Sequence, residues 1–208
     1  MEVKVCGIRD LDNLHYLQGE NVDMIGFIFY DQSKRFFENG NISVDEMLNA
    51  AKKKVGVFVN ASLEELTDII NKYQLDAVQL HGEETPKYCA EVAELGVYII
   101  KAFSVLDHLP RDLGKYEAFI DLYLFDTKGV DHGGNGIQFN WSILEGFDQI
   151  KPFMVSGGIG PKDVSKISNI KNPKLKGVDV NSRFEIEPGL KDEALVGKFI
   201  EEIKGNRI

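Results

Sequence analysis

The stretch Lys54–Leu80 reads KVGVFVNASLEELTDIINKYQLDAVQL and holds one complete structural unit. Lys54–Val59 is an apolar, β-branched and aromatic run of strand length. Ser62 then opens SLEELTDIINKY with Glu65 three residues on, the spacing of a capping box. Leu63, Leu66, Ile69 and Ile70 recur at helical spacing and form one apolar stripe. Asp76–Leu80 (DAVQL) is a second short apolar run. Strand, helix and strand in that order predict a βαβ unit with parallel strands and a right-handed crossover.

The alternation extends in both directions. Further strands are expected at Glu2–Cys6, Asp23–Phe29, Tyr98–Phe103, Ala118–Phe125, Pro152–Ser156 and Gly177–Asn181. Several are near-continuous apolar runs, as in parallel strands covered on both faces. Asp10–Leu17 and Val44–Lys53 fill the first two connections. Thr85 caps Pro86–Leu95, with proline at the first helical position and Gly96 beyond its end. Gly160-Pro161 opens Lys162–Ile167, and Lys191–Ile203 closes the chain. Ser104–Glu117 carries Pro110 and little helical pattern, so the helix after strand five is expected to be short or missing. Asp126–Asn140 is long and glycine-rich, the mark of a functional loop. Eight such units fit either an open doubly wound sheet or a closed barrel, and a count of eight favours closure. No linker or low-complexity stretch divides the chain. The expected fold is α/β, a single (β/α)₈ barrel domain over residues 1–208.

Composition narrows the function. The chain has 208 residues, Lys+Arg 24 against Asp+Glu 33, and a formal net charge of -9. This acidic balance argues against nucleic acid or an anionic membrane surface as partner. No apolar run approaches the ~18 residues of a membrane span, and MEVKVCGIRD has no signal-peptide pattern. Two cysteines, Cys6 and Cys89, make no disulfide framework, and cytoplasmic location with free thiols is expected. His15, His81, His108 and His132 are scattered without metal-ligand spacing, so no metal is expected. No GxGxxG follows the first strand, so no dinucleotide cofactor is expected either.

In a barrel the reactive groups stand at the carboxyl ends of the strands. That rule selects Cys6, Tyr30 to Arg35, Asn60, His81, Ser104, Asp126, Ser156 to Gly158 and Asn181 to Arg183. Cys6 reads either as an inert small hydrophobe or as a rim thiol, which needs a nearby cation or helix N-terminus to act as a base. Asp126 follows the apolar Leu122–Phe125. It is either a general acid whose proton partial burial retains, or a turn-capping aspartate. Arg35 has a fork suited to a carboxylate or phosphate, or it is a solvated loop residue. Gly157-Gly158 after strand seven and Asn181-Ser182-Arg183 after strand eight stand where barrels frequently build a phosphate site. Cys89, inside a helix, reads as packing or surface.

These positions carry a known pattern. KVCGIRD (Lys4–Asp10), GFIFYDQSKRF (Gly26–Phe36), VGVFVN (Val55–Asn60), DAVQLHGEE (Asp76–Glu84), LFDT (Leu124–Thr127), HGGNGIQFNW (His132–Trp141), SGGIGPKDV (Ser156–Val164) and GVDVNSRFEIEPGLKD (Gly177–Asp192) run the length of the chain in order. In combination the chain resembles the phosphoribosylanthranilate isomerases of tryptophan biosynthesis. The resemblance implies a (β/α)₈ barrel and a cofactor-free Amadori rearrangement of a small phosphorylated substrate. It places the general base on Cys6, the general acid on Asp126 and the anthranilate-carboxylate arginine on Arg35. It places phosphate contacts on Gly157, Gly158, Asn181 and Ser182. The family commonly has serine where Asn181 stands, glycine where Arg183 stands, threonine for Asn135 and aspartate for Asn140. Arg183 either adds a phosphate contact or crowds the turn.

Two other readings stay open at this point. One is a different phosphosugar lyase or isomerase on the same barrel, from which Arg35 discriminates. The other is a catalytically dead barrel that only binds phosphorylated ligands, against which the pair Cys6 and Asp126 counts. The expected assembly is a monomer or homodimer.

Overall fold

The Lys54–Leu80 unit folds as a parallel βαβ unit, and its repetition closes the sheet on itself. The computed structural model describes residues 1–127 and 138–205. Strands β1 (Glu2–Cys6), β2 (Met24–Ile28), β3 (Lys53–Phe58), β4 (Ala77–Leu80), β5 (Tyr98–Val105), β6 (Leu122–Thr127), β7 (Phe153–Val155) and β8 (Leu175–Val180) lie in sequence order. All neighbours are parallel, and β8 pairs with β1 through Glu2↔Gly177 to Val5↔Val180.

The connections are unequal. Helices α1 (Leu11–Gly19), α2 (Val44–Leu48), α3 (Leu63–Tyr73) and α4 (Pro86–Ala93) follow the first four strands. Strand β5 is followed only by a 3₁₀ turn, Leu113–Lys115, as the weak pattern there predicted. After β6 the described chain also holds a 3₁₀ turn, Trp141–Gly146, in place of an α-helix. Helix α5 (Val164–Ser168) follows β7, and α6 (Glu193–Gly205) ends the described chain. On α3 the Ser62 side chain accepts from the Glu65 amide. The reciprocal pair of bonds that makes a full capping box forms instead between Ser43 and Glu46 at α2.

Several boundaries differ from the sequence reading, and three of them do so for identifiable reasons. Ala118–Ile120 does not join β6, because Phe119 N donates back to Tyr116 O in a turn. The helix expected from Lys162 starts at Val164. Asp163 first closes a turn on Gly160, its amide donating to Gly160 O and its Oδ2 accepting from Gly160 N. The helix expected from Lys191 starts at Glu193, because Lys191 is taken into a hairpin of β9 (Glu185–Glu187) and β10 (Leu190–Lys191). Apolar periodicity alone could not separate that hairpin from the following helix.

Successive strand residues face opposite sides, which divides the interior in two. Large apolar side chains such as Phe27, Phe58, Phe125 and Phe153 fill the layer between strands and helices. The lumen holds a separate cluster that includes Met24, Val55, Ala77, Ile100, Leu122, Leu124 and Met154. The same parity sends Lys4, Cys6, Gln79, Asp126 and Asp179 into the lumen. The direct bond from Lys4 on β1 to Gln79 on β4, strands that are not sheet neighbours, confirms that these two side chains cross it.

Candidate active site

Cys6 ends β1 and is 4% exposed. Its register partner on β2 is Gly26. A Cβ at position 26 would stand 2.8 Å from Cys6 Sγ and 3.1 Å from Lys4 Cε, so the absence of a side chain there makes room for the thiol. Lys4, two residues back on the same face, is fully buried. Its Nζ donates to Gln79 Oε1 at 2.7 Å and to Asp179 Oδ2 at 2.8 Å. A buried ammonium survives only with such partners. Burial works against its charge, but Asp179 and Cys6 together outweigh burial and hold Lys4 above its ordinary value. Burial pushes the Cys6 thiol up, aided by Asp179, while the Lys4 and Lys191 charges pull it only part of the way back. The cations that a rim thiol needs are therefore present, and burial still wins.

Asp126 lies on β6, across the lumen from Cys6. Its Oδ1 accepts from Thr127 N at 2.8 Å. Its Oδ2 lies 3.1 Å from His81 Nε2. Gly157 packs directly on it: a Cβ there would overlap Thr127 N, Thr127 Oγ1 and Asp126 Oδ1. Gly157 and Gly158 have φ of +85° and +65°, a left-handed conformation that glycine adopts without strain.

The sequence assigned Arg35 to a ligand carboxylate. In the fold it meets an internal one. Arg35 Nε donates to Glu185 Oε1 at 2.8 Å and Oε2 at 3.0 Å, and Nη2 donates to Oε2 at 2.6 Å. Among the described residues these contacts occupy the Nε–Nη2 edge of the fork and leave its Nη1 edge for a ligand. Glu185 also accepts from Lys191 Nζ at 2.7 Å and Gly189 N at 3.1 Å. Burial opposes its charge, but the Arg35 hydrogen bonds and the Lys191 charge hold its carboxyl below the ordinary value.

The turn after β8 is tied into the same mesh. Asn181 Oδ1 accepts from Lys191 Nζ at 2.6 Å, which anchors the side chain inside the protein and leaves its N–H groups as the donors an anion would need. Asn181 and Arg35 are brought together over Gly7. There φ is +77°, and a Cβ would lie 2.8 Å from Asn181 Oδ1 and 2.9 Å from Arg35 Cδ. Ser182 and the exposed Arg183 continue the turn as a 3₁₀ helix. Arg183 stands beside the β7 turn, its Cβ 3.8 Å from where a Gly160 Cβ would be. The turns after β7 and β8 thus lie side by side. Asn140 accepts from Ser142 N and caps the 3₁₀ turn that follows. Asn135 falls outside the described residues. Cys89 is fully buried in α4, and burial pushes its thiol up to about 11, the property of a packing residue.

Sequence reasoning missed Lys4, Gln79, Asp179, Glu185 and Lys191. It placed His81 on the functional rim but gave it no role. A signal existed for most of them: Lys4 in EVKVC and Gln79 in DAVQL interrupt apolar strands on the lumen-facing parity. For Glu185 and Lys191 the signal was the Pro188-Gly189 turn between them, which was not read as a hairpin. Asn13 of α1 holds that hairpin, its Oδ1 accepting from Lys191 N and its Nδ2 donating to Lys191 O.

The comparisons with known proteins agree from end to end. Residues 3–202 match the family model described as N-(5'phosphoribosyl)anthranilate (PRA) isomerase. The N-(5'-phosphoribosyl)anthranilate isomerase of Parabacteroides distasonis is 42% identical over 208 residues, spanning 98% of this chain and 93% of that protein. The crystal structure of the Thermotoga maritima phosphoribosyl anthranilate isomerase aligns with a TM-score of 0.82 at 34% identity, covering 99% of each chain. A phosphoribosyl anthranilate isomerase solved with reduced 1-(o-carboxyphenylamino)-1-deoxyribulose 5-phosphate aligns at 0.79 and 33% identity, again over 99% of each chain. With a closed eight-stranded barrel matched along nearly its whole length, the chain belongs to the N-(5'-phosphoribosyl)anthranilate isomerase family.

Proposed function

We propose that the protein converts N-(5-phosphoribosyl)anthranilate to 1-(2-carboxyphenylamino)-1-deoxyribulose 5-phosphate, with Asp126 as general acid and Cys6 as general base. The observation that carries this reading is the placement of a thiol and a carboxyl at the carboxyl ends of β1 and β6, over one lumen. Asp126 gives its proton to the furanose ring oxygen, the C1–O bond breaks, and a Schiff base forms between C1 and the anthranilate nitrogen. The Schiff base acidifies the C2 proton, which the Cys6 thiolate removes. The enolamine then gains a proton at C1 and loses the O2 proton to become the ketone. Exchange with water restores the proton to Asp126 and removes it from Cys6. Each positioned acid or base contributes about 10²–10⁴-fold.

The substrate's two anionic groups have matching places. The Nη1 edge of Arg35 is proposed to take the anthranilate carboxylate. The side-by-side turns at Gly157-Gly158 and Asn181-Ser182, with Arg183 next to them, are proposed to take the phosphate. The experiment follows loss of phosphoribosylanthranilate fluorescence with purified protein and identifies the product. The expected result is catalytic consumption of the substrate and formation of the deoxyribulose phosphate. Substrate that binds without turning over would leave only the phosphate-binding barrel.

A further inference from the structure

We infer that Lys4, through Gln79, fixes His81 as the neutral tautomer with its proton on Nε2, and so makes His81 a positioning residue for Asp126. This rests on Asp126 being the acid, and it adds residues on three other elements to that role. The chain of contacts is continuous. Lys4 Nζ lies 2.7 Å from Gln79 Oε1, Gln79 Nε2 lies 2.9 Å from His81 Nδ1, and His81 Nε2 lies 3.1 Å from Asp126 Oδ2.

The direction of each bond follows from elementary donor rules. A lysine ammonium can only donate, so the amide atom facing Lys4 must be the oxygen. The amide nitrogen, which can only donate, then faces His81 Nδ1. That ring nitrogen must therefore accept and carry no proton. A neutral imidazole with a bare Nδ1 bears its proton on Nε2, which donates to Asp126 Oδ2. Asp179 keeps the first link in place by accepting from Lys4 at 2.8 Å. Lys4 and Gln79 are 0% and 1% exposed, so water does not compete for the bonds that set the order.

The consequence concerns the acid step. When Asp126 surrenders its proton, the nascent carboxylate already faces a fixed N–H donor. That bond strengthens as charge develops, which favours the transition state over the bound substrate. An imidazolium in the same place would act differently. It would hold Asp126 ionised before substrate arrives and leave no proton to give.

The test reads the ring nitrogens of His81 directly, by long-range ¹H–¹⁵N correlation on the intact ¹⁵N-labelled protein. The expected spectrum has an unprotonated Nδ1 and a protonated Nε2. A protonated Nδ1 in the unaltered protein overturns the inference. In Gln79→Glu one carboxylate oxygen still accepts from Lys4, and the other offers His81 Nδ1 an acceptor. His81 is expected to become doubly protonated, with kcat falling about 10- to 100-fold, inside the range a general acid supplies, and KM little changed. A doubly protonated His81 with unaltered kcat also overturns it. If instead Asp126→Asn leaves kcat intact, the acid assignment fails while the His81 spectrum still stands, so the two failures are separable.

Discussion

Cys6 is held between opposing influences. Burial raises its proton affinity, and two buried ammoniums lower it without prevailing. The proposed base acts as a thiolate, so the sign of the pH dependence follows. kcat/KM reports the free enzyme and should climb with pH along a limb that belongs to Cys6. That limb is expected above the ordinary thiol value of about 8.5. A pH series on the unaltered protein and on Cys6→Ser measures it. A Cys6 limb at neutral pH would mean that Lys4 and Lys191 outweigh burial. Cys6, Asp126 and Arg35, the residues proposed for the chemistry, could be picked from the sequence because strand ends and the loops beyond them are recognisable. Their partners could not, because Lys4–Asp179 and Arg35–Glu185 join residues far apart in the chain. Nothing local in the sequence encodes such a pairing.

Among the elements, the β7 turn has the most direct hold on the chemistry. Gly157 combines a φ of +85° with contact on the Asp126 carboxylate. Gly157→Ala adds backbone strain of about 1–3 kcal/mol and pushes a methyl group onto Oδ1. The expected result is a kcat at least about 10-fold lower, with the unfolding temperature lowered by a few degrees. Gly146→Ala, with nothing within 4 Å of its Cβ position, is the matched control and should leave kcat unchanged. Equal kcat for the two variants would mean that the turn does not set the Asp126 geometry. Strand positions were readable to within a few residues, since each strand is a short apolar run between turn residues. The β9–β10 hairpin was not, because FEIEPGLKD leads straight into a helix with the same apolar content. The short 3₁₀ connections after β5 and β6 show the limits of counting units. The barrel closes through its strands, and among the described residues two of its outer connections hold 3₁₀ turns and no α-helix.

For the molecule as a whole, the net charge of -9 posed a difficulty, since the proposed substrate is itself an anion. A locally positive mouth is the simplest way for an acidic protein to attract an anion. The structure supplies something more balanced: Lys4, Arg35 and Lys191 stand against Asp179 and Glu185. Anion recognition in that setting depends on geometry, on one open edge of Arg35 and on two glycine-rich or polar turns, rather than on surplus charge. Holding these charges in fixed pairs also preorganises the site, so little reorganisation is needed when the acid and base act. The assignment of the two proton-transfer groups is what all of this supports. It is tested most directly by the steady-state kcat of Cys6→Ala and of Asp126→Asn on phosphoribosylanthranilate, each checked for an unchanged unfolding transition. Both variants should remain folded and lose at least about 10²-fold in kcat, whereas a folded variant of either kind with near-normal kcat would contradict the assignment.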